Sequence, residues 1–269
     1  MDGSPRVITS ASNARVRWLA SLRKRSVRDA QGLTVVEGYA ELSLALDAGG
    51  VAPRVLAYSP ELVRDDVQAT LLGRAEAAGA ELLRLGPAAF ARASYRESPD
   101  GWLGVVPSPE RPLADVALSS NPLVLVADRV EKPGNLGAMA RTAEAVGADA
   151  VVAADAVGDW GNPNAVRASK GTVFAVPVAA ARSAEVLSWL RAHSVAVLVA
   201  TPEGDSLVTE TDLSGPTAVV VGAEHEGVGD GWRGSADHLV RLPMHGTVNS
   251  LNVATTAAVL LYEALRQRS

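Results

Sequence analysis

The hydrophobic pattern changes its period along the chain. Leu123–Asp128, Ala150–Ala154, Val195–Thr201, Ala218–Gly222 and Leu239–Leu242 are short, largely apolar runs rich in Val, Leu and Ala. Such runs fit strands that are buried on both faces, as in a parallel sheet. Between them, Leu136–Val146, Ala184–Ala192 and Leu251–Gln267 place apolar residues at helical intervals. The last carries Leu251, Ala254, Ala258, Leu261 and Leu265. Alternating strand and helix predicts an α/β, doubly wound parallel sheet with helices on both faces.

The front of the chain reads as a smaller α/β unit. Asn13–Lys24 is a predicted helix with Ser12 or Asn13 as cap and Val16, Leu19, Ala20 and Leu22 as its apolar positions. Strands are predicted at Leu33–Val36, Arg54–Tyr58, Glu81–Leu85 and Trp102–Val106, with helices at Ala40–Ala48, Val67–Ala78 and Ala88–Ser94. Three prolines then fall within Pro107–Pro112, which reads as a linker. The expected organisation is a first domain over 1–107, a linker over 108–120 and a second domain over 121–269.

Composition narrows the class. The chain is 48% apolar and 20% charged, so it can bury substantial cores. No run approaches the roughly 18 apolar residues of a membrane span, and no apolar signal segment follows Met1–Pro5. A soluble cytoplasmic protein is expected. With no Cys there is no disulfide, thiolate zinc site or Cys nucleophile. The formal net charge is −5, yet residues 1–30 hold seven Arg or Lys against two acids. Arg15, Arg23, Lys24 and Arg28 in that stretch are candidates for RNA phosphate contacts. The competing reading is a solvated amphipathic helix.

Polar residues and glycines gather where predicted strands end. The first such segment is Asp128–Arg141, with a Pro133-Gly134 turn, Asn135 at the opening of a helix and Arg141 inside it. Gly134-x-x-Gly137 lacks the full glycine fingerprint of a dinucleotide loop, which argues against a nicotinamide-dependent enzyme. The second segment, Gly222-x-Glu224-x-x-Gly227, follows a Val-rich run. Its glycines would let a ligand approach bare backbone, or it is a solvated turn. His225 lies between two carboxylates, but the other histidines fall at 193, 238 and 245 without ligand spacing, so no metal site is expected. The third segment, Leu242–Ala254, has a Pro break, Gly246 and the Ser250-x-Asn252 pair before a long helix. Ligands in α/β folds sit at such strand ends.

These segments resemble the SpoU/TrmH branch of the SPOUT RNA methyltransferases. The matching residues are Asn135 with Arg141, Gly222-x-Glu224-x-x-Gly227, and Pro243-Met244 with Ser250-Leu251-Asn252-Val253. Asn162–Gly171 is similar to a further stretch of that family. Ile8-Thr9-Ser10 with Asn13, Arg28 and Val36-Glu37-Gly38 resembles its N-terminal RNA substrate-binding domain. Ala254 departs from the Ser of many members.

The resemblance implies a C-terminal trefoil knot, S-adenosylmethionine held by Thr201, Gly222, Leu242, Met244 and Leu251, and a homodimer. It implies methyl transfer to a ribose 2′-hydroxyl of RNA, with 23S ribosomal RNA the expected target, in maturation or in antibiotic resistance. Asn135, Arg141, Glu224, Ser250 and Asn252 would form the catalytic group, with Arg141 working near the partner subunit's cofactor. A guanidinium is a poor base, so Arg141 is expected to stabilise the developing alkoxide and grip phosphate. Glu224 is expected to order a loop or the dimer contact. A non-catalytic RNA-binding module of the same fold is the remaining alternative. The presence of all five residues argues against it.

Overall fold

The computed structural model describes residues 7–269 except 49, 64–65, 224–225 and 249, with 66–69 described as backbone only. Helices α1 (Ala14–Ser21) and α2 (Arg25–Gln31) lead into β1 (Leu33–Glu37), α3 (Tyr39–Asp47), β2 (Val55–Tyr58) and α4 (Asp66–Ala77). Next come β3 (Glu81–Arg84), α5 (Pro87–Ala93), β4 (Trp102–Pro107), β5 (Glu110–Arg111), β6 (Leu123–Asp128), α6 (Pro133–Ala145) and β7 (Ala150–Ala154). The chain continues through α7 (Pro163–Ala168), β8 (Val178–Ala181), α8 (Ser183–Ala192), β9 (Ala196–Ala200) and β10 (Ser206–Leu207). It ends with β11 (Thr217–Gly222), α9 (Asp230–Arg233), β12 (His238–Arg241) and α10 (Val253–Arg268).

Contacts divide the chain into two units. One is residues 1–109 with 161–175; the other is 110–160 with 176–269. The Asn162–Gly171 stretch therefore groups with the N-terminal residues. There Lys170 Nζ stands 3.9 Å from Glu41 Oε1, and Gly171, at φ +89°, lies so close to the Glu41 backbone that a Cβ would meet its carbonyl oxygen at 2.8 Å.

The first unit holds a four-stranded sheet in the order β1-β4-β2-β3, with β4 antiparallel to both neighbours and β2 parallel to β3. Val16, Leu19 and Leu22 pack with strand residues Val35, Val55 and Leu103 and with Phe90 of α5. Asn13 caps α1 by accepting the Arg15 N–H at 2.8 Å. The single helix expected over Asn13–Lys24 ends instead at Ser21, and α2 follows as a separate element. Arg28 is 3% exposed and its Nη1 donates to the carbonyls of Leu22 (3.1 Å) and Arg23 (2.9 Å). The break between the helices leaves those carbonyls without helical partners, and Arg28 satisfies them. This corrects the expectation that Arg28 faces RNA.

The second unit holds an eight-stranded sheet in the order β10-β12-β9-β11-β6-β7-β8-β5, and all its neighbouring strands are parallel. Every residue of β6 and β7 is buried, as the continuous apolar runs require. One face of the sheet, with Val124, Val126, Val152, Val197 and Val220, packs against Val186 and Leu190 of α8 and Trp232 of α9. Alternation turns the intervening residues to the opposite face, where α10 packs on β11 and on α6. Asn252 caps α10 by accepting the Ala254 N–H at 3.0 Å. At the other end Arg268 donates to the carbonyls of Asn121, Leu213, Pro122 and Gly215.

Candidate functional site

Strands β9, β11 and β12 run side by side in parallel, so their C-terminal ends emerge at one edge of the sheet. The chain segments leaving those ends, together with the start of α10, enclose a cavity of about 300 Å³. Thr201 follows β9, Gly222 closes β11, Leu242 and Met244 follow β12, and Ser250 and Leu251 precede α10. All six line this cavity. The five residues expected to hold a cofactor are thus brought together from segments up to 50 positions apart. Val221, Val228, Val240 and Val253 supply further apolar wall, and Glu203, Glu226 and Arg233 supply charge.

The turn after β11 is built for close backbone approach. A Cβ at Gly222 would stand 2.3 Å from the carbonyl carbon and oxygen of Gly227 and 2.4 Å from the Val228 nitrogen. The Gly227 N–H donates to the Ala223 carbonyl at 2.9 Å, and Gly227 takes φ +66°. Glu224, expected to order this loop, lies outside the described residues together with His225.

A buried carboxylate holds the turn from behind. Asp128, 1% exposed at the end of β6, accepts the Gly229 N–H at 2.8 Å. Its neighbour Arg129 adopts φ 54°, an uncommon conformation for a non-glycine residue. Arg129 thereby reaches Glu226 Oε2 at 2.7 Å and the Gly227 carbonyl at 3.3 Å. The Ser183 hydroxyl lies 3.4 Å from Asp128, donates to Asp155 at 2.6 Å and accepts the Trp232 indole N–H at 3.1 Å. Neither Asp128 nor Arg129 is among the site residues expected from the sequence. A charged pair closing an otherwise apolar strand is the signal that marks them.

The remaining expected residues divide. Asn135, in the first turn of α6, meets Asn252 across a long contact, Asn252 Nδ2 to Asn135 Oδ1 at 3.4 Å. The first and third segments therefore touch. Arg141 is exposed on α6 and does not line the cavity, and its side chain makes no hydrogen bond or ion pair among the described residues. At the N-terminus, Arg15 pairs with Glu81 and stacks its guanidinium 4.9 Å from the Trp18 ring centre. Arg23 donates to the carbonyls of Arg92 and Ser94, while Lys24 is exposed.

With that geometry in view, the comparisons with known proteins decide the family. Residues 122–262 match the SpoU rRNA Methylase family model, and residues 13–104 match the MRM3-like substrate binding domain. The chain belongs to the SpoU rRNA methylase family. The 23S rRNA (uridine(2479)-2′-O)-methyltransferase of Streptomyces viridochromogenes is 33% identical over 98% of this chain and 93% of that protein. The 23S rRNA (guanosine(2553)-2′-O)-methyltransferase of Bacillus subtilis is 30% identical over 95% of this chain and 97% of that one. A crystal structure of an RNA 2′-O ribose methyltransferase superposes with TM-score 0.84 at 38% identity, covering 98% of this chain and 99% of that one. The AdoMet-bound rRNA methyltransferase of Sinorhizobium meliloti superposes with TM-score 0.87 at 29% identity, covering 97% of both chains. The α/β architecture and parallel-sheet core are those of SPOUT methyltransferases.

The SpoU cofactor, S-adenosylmethionine, suits the cavity. A nucleoside of that size needs apolar walls, bare backbone at strand ends and a few polar groups. Gly222 leaves a cradle that a Cβ would fill, four valines line the walls, and Thr201, Ser250 and the charged residues provide hydrogen bonds.

Proposed function

We propose that this chain is an S-adenosylmethionine-dependent RNA 2′-O-methyltransferase acting on 23S ribosomal RNA. The observation that carries the reading is the convergence of Thr201, Gly222, Leu242, Met244, Ser250 and Leu251 on one cavity in a SpoU-family chain. The two relatives named above act on a uridine and on a guanosine. What they share is the ribose 2′-hydroxyl, so the chemistry belongs to the sugar rather than to a particular base.

The roles follow from the groups available. Thr201, Gly222, Leu242, Met244 and Leu251 hold the cofactor, which supplies an activated sulfonium methyl when bound. Ser250 and the touching pair Asn135 and Asn252 orient the neighbouring groups by neutral hydrogen bonds. Arg141 presents a guanidinium with all its donors uncommitted among the described residues. A guanidinium donates and does not accept, so Arg141 grips phosphate and stabilises the alkoxide that develops as the hydroxyl passes its proton to solvent water. Correct alignment supplies much of the rate, because an activated methyl needs little more than an in-line approach.

The reading extends to assembly. The unit of residues 1–109 with 161–175 is the RNA substrate-binding domain and the unit of 110–160 with 176–269 the methyltransferase domain, so the stretch 108–120, expected as a linker, carries β5 of the second sheet; the family's trefoil knot lies in the segments around the cavity. Arg15, Arg23 and Lys24 contribute the RNA-facing charge. The active form is a homodimer in which Arg141 serves the partner's cavity. Two features support this: Arg141 lies outside its own cavity, and Val259 and Tyr262 are 43% and 53% exposed at adjacent turns of α10, which packs on α6. Among the described residues no helix is long and apolar enough to cross a membrane.

Calorimetry with S-adenosylhomocysteine, the demethylated product, tests the reading. Saturable binding to the full chain with no binding of NADH is expected. Binding of NADH, or of neither ligand, would overturn it.

A further inference from the structure

We propose that Glu203 grips the ribose diol of the cofactor's adenosine and so selects a ribonucleoside in the cavity. The inference deepens the cofactor reading above and rests on it. Glu203 lines the cavity three residues beyond the end of β9. It belonged to none of the three sequence motifs.

The turn that carries Glu203 is pinned to β12 at three points. The Thr201 N–H donates to the Val240 carbonyl at 2.9 Å. Arg241 Nη1 donates to the Gly204 carbonyl at 2.6 Å. Gly204 itself lies so close to β12 that a Cβ would stand 2.3 Å from the Val240 carbonyl carbon. The turn is closed by the Gly204 N–H donating to the Thr201 carbonyl at 3.0 Å. A surface glutamate on a free loop would sample many positions; this one is mounted on a fixed turn.

Its carboxylate is held at one oxygen. The Thr201 hydroxyl donates to Glu203 Oε2, and Arg233 Nη2 stands 3.7 Å from the same atom. Arg233 is in turn fixed by its Nε donating to the Val228 carbonyl at 3.2 Å. The Thr201 hydrogen bond first, then the backbone N–H of Glu203 and the Arg233 charge, hold the carboxyl below the usual range, so it is ionised at neutral pH.

The chemistry of the pair selects the diol among the cofactor's groups. A carboxylate only accepts, which excludes the cofactor's own carboxylate. Arg233 balances the charge of Glu203, which removes the advantage of a cationic ammonium. A hydroxyl can donate to Glu203 and accept from Arg233, and a vicinal diol offers two such groups. An acidic residue near a strand end taking ribose hydroxyls is a known solution in α/β nucleotide sites. The adenine ring is served by the valine walls.

Binding of S-adenosylhomocysteine and its 2′-deoxy and 3′-deoxy analogues to the full-length protein tests the assignment by calorimetry. The wild type should prefer the parent ligand by roughly tenfold or more, the usual weight of a hydrogen bond to a charged group. In Glu203→Ala the preference should collapse to within about twofold, and Glu203→Gln should fall between. The Glu203 side chain is 69% exposed, so neither substitution threatens the fold. Equal weakening of all three ligands by Glu203→Ala, or no weakening, would overturn the ribose assignment and leave the cofactor reading standing. A wild type that binds none of the three would overturn both.

Discussion

Replacing Gly222 by Ala probes the cavity at its tightest point. The added methyl would stand 2.3 Å from the Gly227 carbonyl carbon and oxygen, whereas ordinary contact begins at 3.4 Å. The 227–228 backbone would have to retreat by about 1 Å. Backbone cannot turn aside as the end of a flexible side chain can. The turn is also tied down, by Gly229 to buried Asp128 at 2.8 Å and by Gly227 to Ala223 at 2.9 Å. Relief of the clash therefore moves the cavity wall and stretches those bonds. Overpacking of this kind costs about 1–3 kcal/mol. If the free protein relaxes by shifting the wall, binding must restore it, and the same energy appears as roughly 5- to 150-fold weaker affinity. Calorimetry with S-adenosylhomocysteine and thermal unfolding would measure both effects. Gly231→Ala is the control, because a Cβ there meets nothing within 4 Å and the residue lies in α9. Affinity and melting temperature of Gly222→Ala that match those of Gly231→Ala would refute the reasoning.

Four other perturbations follow from the same structure. Arg141→Ala should lower kcat by about 100-fold or more with S-adenosylhomocysteine affinity unchanged, and mixing it with Gly222→Ala subunits should restore activity in heterodimers; full activity of Arg141→Ala would contradict its role. Lys24→Ala should weaken RNA binding and flatten its salt dependence. Arg28→Ala should instead lower stability by about 1–3 kcal/mol in denaturant unfolding, since it strips partners from the Leu22 and Arg23 carbonyls. Glu263 is held down to about 2, chiefly by its hydrogen bonds to Arg266 and then to Gln267. Its folded pKa lies below the ordinary glutamate value of 4.5, so its stabilisation is present above about pH 4.5 and is lost as pH falls toward 2. Melting temperature followed from pH 5 to 2.5 should fall less steeply for Glu263→Gln than for the wild type.

Local pattern carried the strands that matter most for the site. The apolar runs ending at Asp128, Thr201 and Gly222 are strands in the structure, and the cavity lies where three strand ends meet. Strand β8 was not legible. Its sequence, Val-Ala-Ala-Ala, has little strand propensity, and pairing with β7 and β5 decides its conformation. The break between α1 and α2 was hidden for a similar reason, since the buried Arg28 that stabilises it looks like one more charge in a basic run. Asn162 and Pro163, within the stretch that resembles the family, also cap and open α7, a helix that their residue types announce. The Asp128 anchor joins residues 101 positions apart, and Arg233 approaches Glu203 only through the packing of α9 on the sheet face. No periodicity encodes such pairs. They arise from tertiary packing.

The most direct measurement supplies the protein with unmodified 23S ribosomal RNA and S-adenosylmethionine labelled in its methyl group. The RNA is then digested to nucleosides and analysed by mass spectrometry. The account predicts label in one 2′-O-methylated nucleoside, and loss of that label with Arg141→Ala. Label on a base, or no label in RNA from a protein that binds the cofactor, would contradict it.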